Sequence, residues 1–486
     1  MAESARAFVY DGVAGEDDVR IASTPLTAAE ADEMALFASE ALPTSFPHFS
    51  AKTGLTPSQR RRFGQIATLA GLAGLYVPGL LQTGLWFLGI IVFALLIAWR
   101  FVLLLIGSAV RLIPRHKPTT ETDLPIYTLL VPLHDEAKSV PGLADALAAL
   151  DYPPALLDIK LLVEANDAAT QDALATEVWG PHVEILALPE GMPLTKPRAL
   201  NFGLQRAYGE FVVIYDAEDR PHPGQLKAAL AAFQKGPGNL ACVQAPLKAY
   251  NANASWISGH WALEYAVHFN LVLRAFAALR LPVPLGGTSN HFRIEALEAT
   301  GGWDAWNVTE DADLGLRLAR LGWHVGSILP PTLEEAPVTL GIWTAQRSRW
   351  IKGYMQTWLV LMRSPRSTIR GMGLGGFLAT QLTLGGTILS ALANGPLLLW
   401  VVICILQPDI SLGRVDITIL GAGYAVNVLA AVLAPGRFSL QRLISILTLP
   451  LYWPLQSLAA VRALYGLAFR PHFWAKTPHG IYRPAA

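Results

Sequence analysis

Two short clusters in the stretch Gly301 to Gly353 carry the residue types that do chemistry. Thr309-Glu310-Asp311 opens a helical pattern, DADLGLRLARLG, and Gln346-Arg347-Ser348-Arg349-Trp350 follows about one helix-loop unit later. A carboxylate at a helix start is favoured by the N-terminal dipole and can accept a proton. Arginine grips phosphate bidentately and tryptophan stacks on a sugar face. The pair suits an enzyme that deprotonates a hydroxyl beside a bound diphosphate. Each cluster also has a plain reading: TEDADL is an N-cap signature, and Arg347, Arg349 and Lys352 would serve as a juxtamembrane basic anchor.

Further acids sit where strands end. Asp216-Ala217-Glu218-Asp219 follows the apolar run FVVIY, His134-Asp135-Glu136 follows IYTLLVPL, and Glu164 to Asp167 follows LDIKLLV. Carboxylates two residues apart at a strand end can hold a hard cation, which in turn grips phosphates; alone they read more often as a solvated turn. Lys196 and Arg198 in TKPRALN could neutralise a diphosphate or mark an exposed helix start. Gly286-Gly287 forms a tight loop before a further strand or helix start. No glycine spacing matches a Walker or dinucleotide fingerprint, so ATP and NAD find no support.

These acids need a sheet to bring them together. Strands alternate with helices from Leu124 to about residue 220, which predicts a mostly parallel α/β sheet with ligands bound beyond the carboxyl ends of its strands. NLACVQAPL adds a strand, and SWISGHWALEYAVHFNLVLRAFAAL a long aromatic helix whose Trp256, Trp261 and Tyr265 read as packing.

The surroundings are membrane-like. Of 486 residues, 52% are hydrophobic and 15% charged, too apolar for an ordinary soluble enzyme. Lys+Arg and Asp+Glu both number 37, which leaves no net charge and no nucleic-acid footprint. Cys242 and Cys404 match no metal or redox spacing. Arg60-Arg61-Arg62 precedes apolar stretches at 63–81 and 85–110, and Arg111, Arg115 and Lys117 follow. By the positive-inside rule this is a hairpin with cytosolic flanks; the plain alternative is a buried helix pair. GYMQTWLVLMRSP reads as an interfacial helix. Hydrophobic stretches at 373–392, 395–406, 415–434 and 440–466 bring the expected spans to six. The N-terminus has no signal-peptide character and reads as a flexible extension with a short amphipathic helix in LTAAEADEMALFASEAL.

Together these residues resemble the membrane-embedded family 2 glycosyltransferases, the group of cellulose, curdlan and hyaluronan synthases, over about residues 125–355 and the flanking spans. The resemblance rests on TED with QxxRW at this separation. It implies a GT-A-type, Rossmann-like α/β domain on the cytosolic side, inserted between transmembrane helices. The implied division is 1–60 N-terminal extension, 61–112 transmembrane hairpin, 120–355 catalytic domain, 356–370 interfacial helix, 371–468 C-terminal transmembrane helices and 469–486 cytosolic tail.

The resemblance also implies roles. Asp311 is the catalytic base, with Glu310 beside it. Glu136, Asp167, Lys196, Asp216, Gln346, Arg349 and Trp350 hold the nucleotide-sugar and its diphosphate. Asp216 and Glu218 stand for the metal-binding D-x-D and take Mg²⁺ or Mn²⁺. Thr288, Asn290 and Trp350 meet the acceptor. The chain departs from the pattern at His134-Asp135, where the family has Tyr-Asn, at Asn166-Asp167 and at Glu218. The closing WAKTPHG resembles a tail of bacterial members.

The implied activity is inverting transfer from a nucleotide-diphospho-sugar, a UDP-hexose being favoured, to build and export a β-linked polysaccharide. Accessory export subunits and membrane lipids join donor and acceptor as expected partners, in a bacterial-type inner (plasma) membrane crossed several times. One-sugar transfer to a lipid or glycan acceptor, or a catalytically silent membrane scaffold, are the alternatives.

Overall fold

The computed structural model describes residues 25–112, 124–407, 409 and 411–474. Helices α1 (Ala28–Ser45), α2 (Pro57–Tyr76) and α3 (Pro78–Leu112) precede the sheet. Then come β1 (Tyr127–Leu133), α4 (Val140–Ala148), β2 (Leu157–Glu164), α5 (Ala168–Thr176), β3 (Val183–Leu188), α6 (Lys196–Leu204), β4 (Phe211–Ile214), β5 (Arg220–Pro221) and α7 (Gln225–Lys235). The second half of the domain holds β6 (Leu240–Gln244), β7 (Leu247–Ala249), α8 (Trp256–Val267), α9 (Leu273–Ala278), β8 (Asn290–Arg293), α10 (Ile294–Thr300), α11 (Glu310–Arg320), β9 (His324–Ser327) and β10 (Thr332–Glu334). Helices α12 (Leu340–Leu361), α13 (Pro365–Thr380), α14 (Gly386–Leu406), α15 (Arg414–Leu433), α16 (Leu440–Leu447) and α17 (Leu449–Phe469) close the described chain.

The strands form a seven-stranded sheet in the order β3-β2-β1-β4-β8-β6-β9 and a small sheet β5-β10-β7. The expected parallel βαβ half is present: β1 pairs in parallel with β2 and β4, and β2 with β3. Its central strands β1 and β4 are near-continuous apolar runs because they are covered on both faces. The sheet is mixed, because β8 runs antiparallel between β4 and β6. β1 and β4 share register from Tyr127↔Phe211 to Leu130↔Ile214, so the loops after them, holding His134 to Glu136 and Asp216 to Asp219, emerge at the same sheet edge.

The N-terminal segment is more than a flexible extension. Thr27 and Glu30 cap α1 reciprocally, and Ala35 and Ala38 enter the main core. Asn201 Nδ2 donates to Ala38 O at 2.9 Å and Trp306 Nε1 to Ser39 O at 3.0 Å. Asp304 accepts from Ser50 Oγ at 2.9 Å and from Ala51 N at 2.5 Å. Residues 1–24 lie outside the described residues.

The expected hairpin is corrected. Helix α2 ends at Tyr76, and Pro78 opens a separate helix, so Leu80 and Leu81 belong to α3. Only about 14 residues of α2 follow its three arginines, roughly 21 Å of helix, short of a ~30 Å hydrocarbon core. Among the described residues, three helical segments are long and apolar enough to cross a membrane: Pro78–Val110, Pro365–Leu406 and Arg414–Leu433. The pair Leu440–Leu447 and Leu449–Phe469, bent by 67°, makes four if it is one span. Six spans are therefore too many for the described residues. Asn394-Gly395-Pro396 does not divide its stretch: α13 and α14 run on through a π turn at Gln381–Gly385. Pro396 is tolerated in the apolar helix, and Gly395 N finds Ser457 Oγ of α17 at 2.7 Å. The helix breaks instead at Gly373, with φ of 74°. The expected interfacial helix at 356–370 is also absent as a unit. Its first half continues α12 and its second half begins α13, across the break at Met362 to Ser364.

Candidate functional site

A single cavity of 1140 Å³ is lined by the strand-end acids, the start of α11, the middle of α12 and the apolar helices. Helix α11 begins at Glu310 after Thr309, whose side chain makes no capping bond. Thr309 Oγ1 instead lies against Gly353 of α12, where an added methyl would come within 2.2 Å of it. This close approach of α12 to the start of α11 sets the two sequence clusters side by side. Glu310 and Asp311 both face the cavity rather than capping the helix, as do Gln346, Arg349 and Trp350.

Burial raises both carboxyls of the TED triplet. Glu310 is pushed up to about 7 by burial and by the charge of Asp311, against the pull of Lys196 and Arg349. Asp311 is raised by burial, while the Ala312 N–H, Lys196 and Arg349 favour its ionised form. A buried carboxylate kept ionisable between a lysine and an arginine is suited to take up a proton. Gly287 faces it, with room for a methyl 3.5 Å from Asp311 Oδ2.

The acids after β4 surround Lys196. Its Nζ contacts Asp216 Oδ1 and donates to Gly287 O at 2.6 Å. Burial works against the ammonium, but Asp216, Glu310 and Asp219 outweigh it and hold it above its ordinary value. Asp216 and Glu218 line the cavity. Asp219 is 1% exposed; burial and then its neighbours Asp216 and Glu218 push it well up. Asp219 Oδ1 and Glu334 Oε1 are buried carboxylate oxygens without a hydrogen-bond donor. Burial and then Asp219, Glu218 and Asp216 raise Glu334 well above its usual range. Oxygen ligands crowded beyond what their donors satisfy fit a hard divalent cation.

Other expected residues hold the frame. Asp167 Oδ2 accepts from Asp135 N at 2.6 Å and Oδ1 from Thr170 N at 3.2 Å. Burial works against its charge, but the Thr170 hydroxyl and these N–H groups hold it below its usual value, ionised. Glu136 lines the cavity and Asp167 stands behind it. His134, Asp135 and Asp167 bring ligand atoms within 4.8 Å of one another. Arg198, read as a diphosphate neutraliser, is 2% exposed and turned to Glu164 at 3.4 Å, so burial removes it from that role. Thr288 Oγ1 donates to Asp219, and Asn290, fully buried, donates from Nδ2 to Gly286 O at 2.6 Å. Thr288 lines the cavity; Asn290 shapes the glycine loop from behind. Gln346 Oε1 accepts from Trp261 Nε1 at 3.0 Å. The guanidinium of Arg349 lies 5.0 Å from the Trp474 ring.

Sequence reasoning passed over Glu334 and gave Trp474 no role beyond its place in WAKTPHG. Glu334 ends a three-residue strand, and its place beside Asp216 follows from β10 pairing with β5 and β7. Lys352 Nζ fixes the chain before Trp474 by donating to Phe473 O at 2.6 Å. The WAKTPHG tail beyond Trp474 lies outside the described residues.

Residues 211–413 match the family described as Glycosyl transferase family group 2. That stretch of the chain is similar to family 2 glycosyltransferases. A β-monoglucosyldiacylglycerol synthase of Trichormus variabilis is 26% identical over 279 residues, 55% of this chain and 58% of that protein. Glucomannan 4-β-mannosyltransferase 2 of Arabidopsis thaliana is 26% identical over 243 residues, 48% of this chain and 45% of that protein. The chain thus spans about half the length of these curated relatives. A solved mannosyltransferase of Pyrobaculum calidifontis, in complex with GDP-mannose and Mn²⁺, superposes with a TM-score of 0.50. It is 19% identical, with 78% of this chain and 99% of that chain covered. That likeness shows the fold: a GT-A-like mixed-sheet α/β domain, flanked here by apolar helices that could span a membrane.

Proposed function

We propose that the protein is a membrane glycosyltransferase that moves a sugar from a nucleotide-diphospho-sugar to the hydroxyl of a membrane lipid. The observation that carries this reading is the continuity of the cavity. It runs from Asp311 and the strand-end acids to apolar walls made by Phe93 and Ile97 of α3, Leu398 of α14, Leu420 of α15 and Trp453 of α17. An acyl chain suits such walls.

In this reading Asp311 accepts the acceptor O–H proton as the oxygen forms a bond to C1 of the sugar. The C1–O bond to the diphosphate breaks with its electron pair leaving on phosphate oxygen, so the anomeric centre inverts. Arg349 and Lys196 stabilise the departing charge. Trp350 and Gln346 orient the sugar and the acceptor end. Glu310 stands beside the base as a carboxyl that is neutral for part of the physiological range. Asp216 and Glu218, with Asp219 and Glu334 behind them, would hold Mg²⁺ or Mn²⁺. When bound, the ion supplies charge neutralisation on the diphosphate. The apolar helices suit a multi-pass protein of a bacterial-type inner membrane with the catalytic domain in the cytosol.

Extension and export of a polysaccharide is the second reading. It is favoured by Tyr265 and Trp350 on the cavity wall, their rings 6.1 Å apart, a surface for sugar faces. UDP-hexose as donor belongs to either reading.

The test is nucleoside-diphosphate release by the purified full chain across a panel of UDP- and GDP-sugars with Mg²⁺ or Mn²⁺, with and without diacylglycerol, beside Asp311→Asn. One donor turned over, dependent on lipid and silent in Asp311→Asn, supports lipid transfer. A polymeric product made without lipid moves the assignment to the second reading. No turnover with any donor overturns both.

A further inference from the structure

A half-buried cationic group stands where the apolar arm of the cavity meets the catalytic domain. Arg100 lies on α3, one turn before Leu103 and Leu104, which are buried in the core beneath the sheet. Arg100 lies within the apolar segment Pro78–Val110, ten residues before its end, where the helix begins to pack on the domain core. The helix is fixed there. Trp99 Nε1 donates to Thr383 Oγ1 at 3.0 Å, and Gly107 lets α3 touch the π turn at His268–Val272, where a methyl would meet Leu271 O at 2.1 Å.

Arg100 lines the cavity, yet its Nε–H is buried without an acceptor, and no ion pair holds the guanidinium among the described residues. The nearest acid, Glu264 of α8, is engaged elsewhere. It pairs with Arg347, and it accepts from Tyr452 at 3.0 Å and from Gln456 at 3.4 Å. Arg347 also leaves its own Nε–H buried and unbonded. His268 faces the same space. Two guanidiniums thus stand on this wall beside one carboxylate, which pairs only with Arg347. An intramembrane arginine that lacks a counterion is costly unless a ligand supplies one.

We propose that this wall binds the phosphate of a lipid, with Arg100 as its principal ligand and Arg347 and His268 beside it, and with the acyl or prenyl chain in the apolar arm. The proposal rests on the glycosyltransferase reading for the cavity's purpose and narrows the lipid to a phosphate-bearing one. A planar guanidinium matches phosphate oxygens bidentately, and a headgroup at this level supplies the missing negative charge. The sugar diphosphate is held on the other side, by Arg349 and Lys196. The bound lipid is therefore either the acceptor itself, a polyprenyl monophosphate whose phosphate oxygen takes the hydroxyl's place in attacking C1 as the C1–O bond to the nucleoside diphosphate breaks, or a phospholipid seated beside the acceptor path. The chemistry at Arg100 is the same for both.

The full chain would be placed in phosphatidylcholine nanodiscs doped in turn with polyprenyl monophosphate, phosphatidylglycerol or diacylglycerol. Retained lipid is read by native mass spectrometry, and sugar transfer is followed alongside. A phosphate-bearing dopant should be retained at least about tenfold over diacylglycerol, and Arg100→Gln should lower that retention about tenfold while Arg100→Lys keeps most of it. Transfer onto the polyprenyl phosphate marks it as the acceptor; retained phosphatidylglycerol without transfer marks a structural phospholipid, and either supports the site. Diacylglycerol retained as well as the phosphate lipids by the native chain, or equal retention in Arg100→Gln, overturns it. Nucleoside-diphosphate binding, measured on the same samples, should be unchanged in both variants. Its absence from the native chain would count against the glycosyltransferase reading alone.

Discussion

At the scale of residues, the site depends on carboxyls forced together out of water. Replacing Asp311 by Asn should lower transfer by about 10²- to 10⁴-fold while nucleoside-diphosphate affinity changes little, as binding and turnover measured side by side would show. Glu310, pushed up to about 7, gives a second expectation. Its folded value lies above the unfolded one, so the folded state binds the extra proton. Its contribution to stability is then present below about pH 4.5 and is lost as pH rises toward 7. Glu310→Gln should flatten the fall of melting temperature between pH 5 and pH 7, and an unchanged slope would assign that fall to other groups. Why this group is raised was only half legible in the sequence: Asp311 stands beside it in the triplet, but the burial that raises it most, and Lys196 and Arg349 that oppose the rise, come from distant elements.

At the scale of elements, the contact of α12 with α11 decides the geometry. Gly353 packs on Thr309, and a side chain there has no flexible neighbour to displace. Gly353→Leu should push the helices apart, destabilise the domain by about 1–3 kcal/mol and reduce transfer more than donor binding. Thermal unfolding beside steady-state kinetics would read both. The buried pair Asp313 to Arg317, at 2.7 Å, anchors the other end of this unit, with Arg317 also donating to Thr300 O and Gly302 O at 2.9 Å each. Arg317→Ala strands a buried carboxylate and should cost about 3–5 kcal/mol, measurable as loss of folded protein after mild heating. The extent of α12 could not be read from the chain. The apolar run after Lys352 looks interfacial by composition, yet the helix continues because Met355, Val360 and Leu361 are buried.

At the scale of the whole molecule, the N-terminal segment clasps the catalytic domain through Asp304. Asp304→Ala should release residues near Ser50 and raise proteolytic nicking around 46–54, with donor binding retained. Limited proteolysis checks this directly. Much of the architecture was legible beforehand. Period and composition gave the parallel βαβ half, the acids at the ends of its strands and the helical nature of the flanks, because apolar strands and capped helices are local signals. Span number was not legible. Hydropathy registers apolar length, but whether Val77-Pro78 divides two helices or Gly395-Pro396 joins them depends on partners such as Ser457 across the bundle.

The sequence by itself determined the chemistry available: TED, QxxRW and acidic strand ends are residue identities, and identity fixes which groups can carry protons, phosphates or cations. The tertiary structure decided which of them meet. It turned Arg198 inward, put Asn290 behind its loop and brought Glu334 to the acids after β4. It also left Arg100 on a cavity wall with its nearest carboxylate already bonded. Such placements arise from contacts between residues far apart in the chain, where burial and neighbouring charge set what each group can do, and no local pattern encodes them.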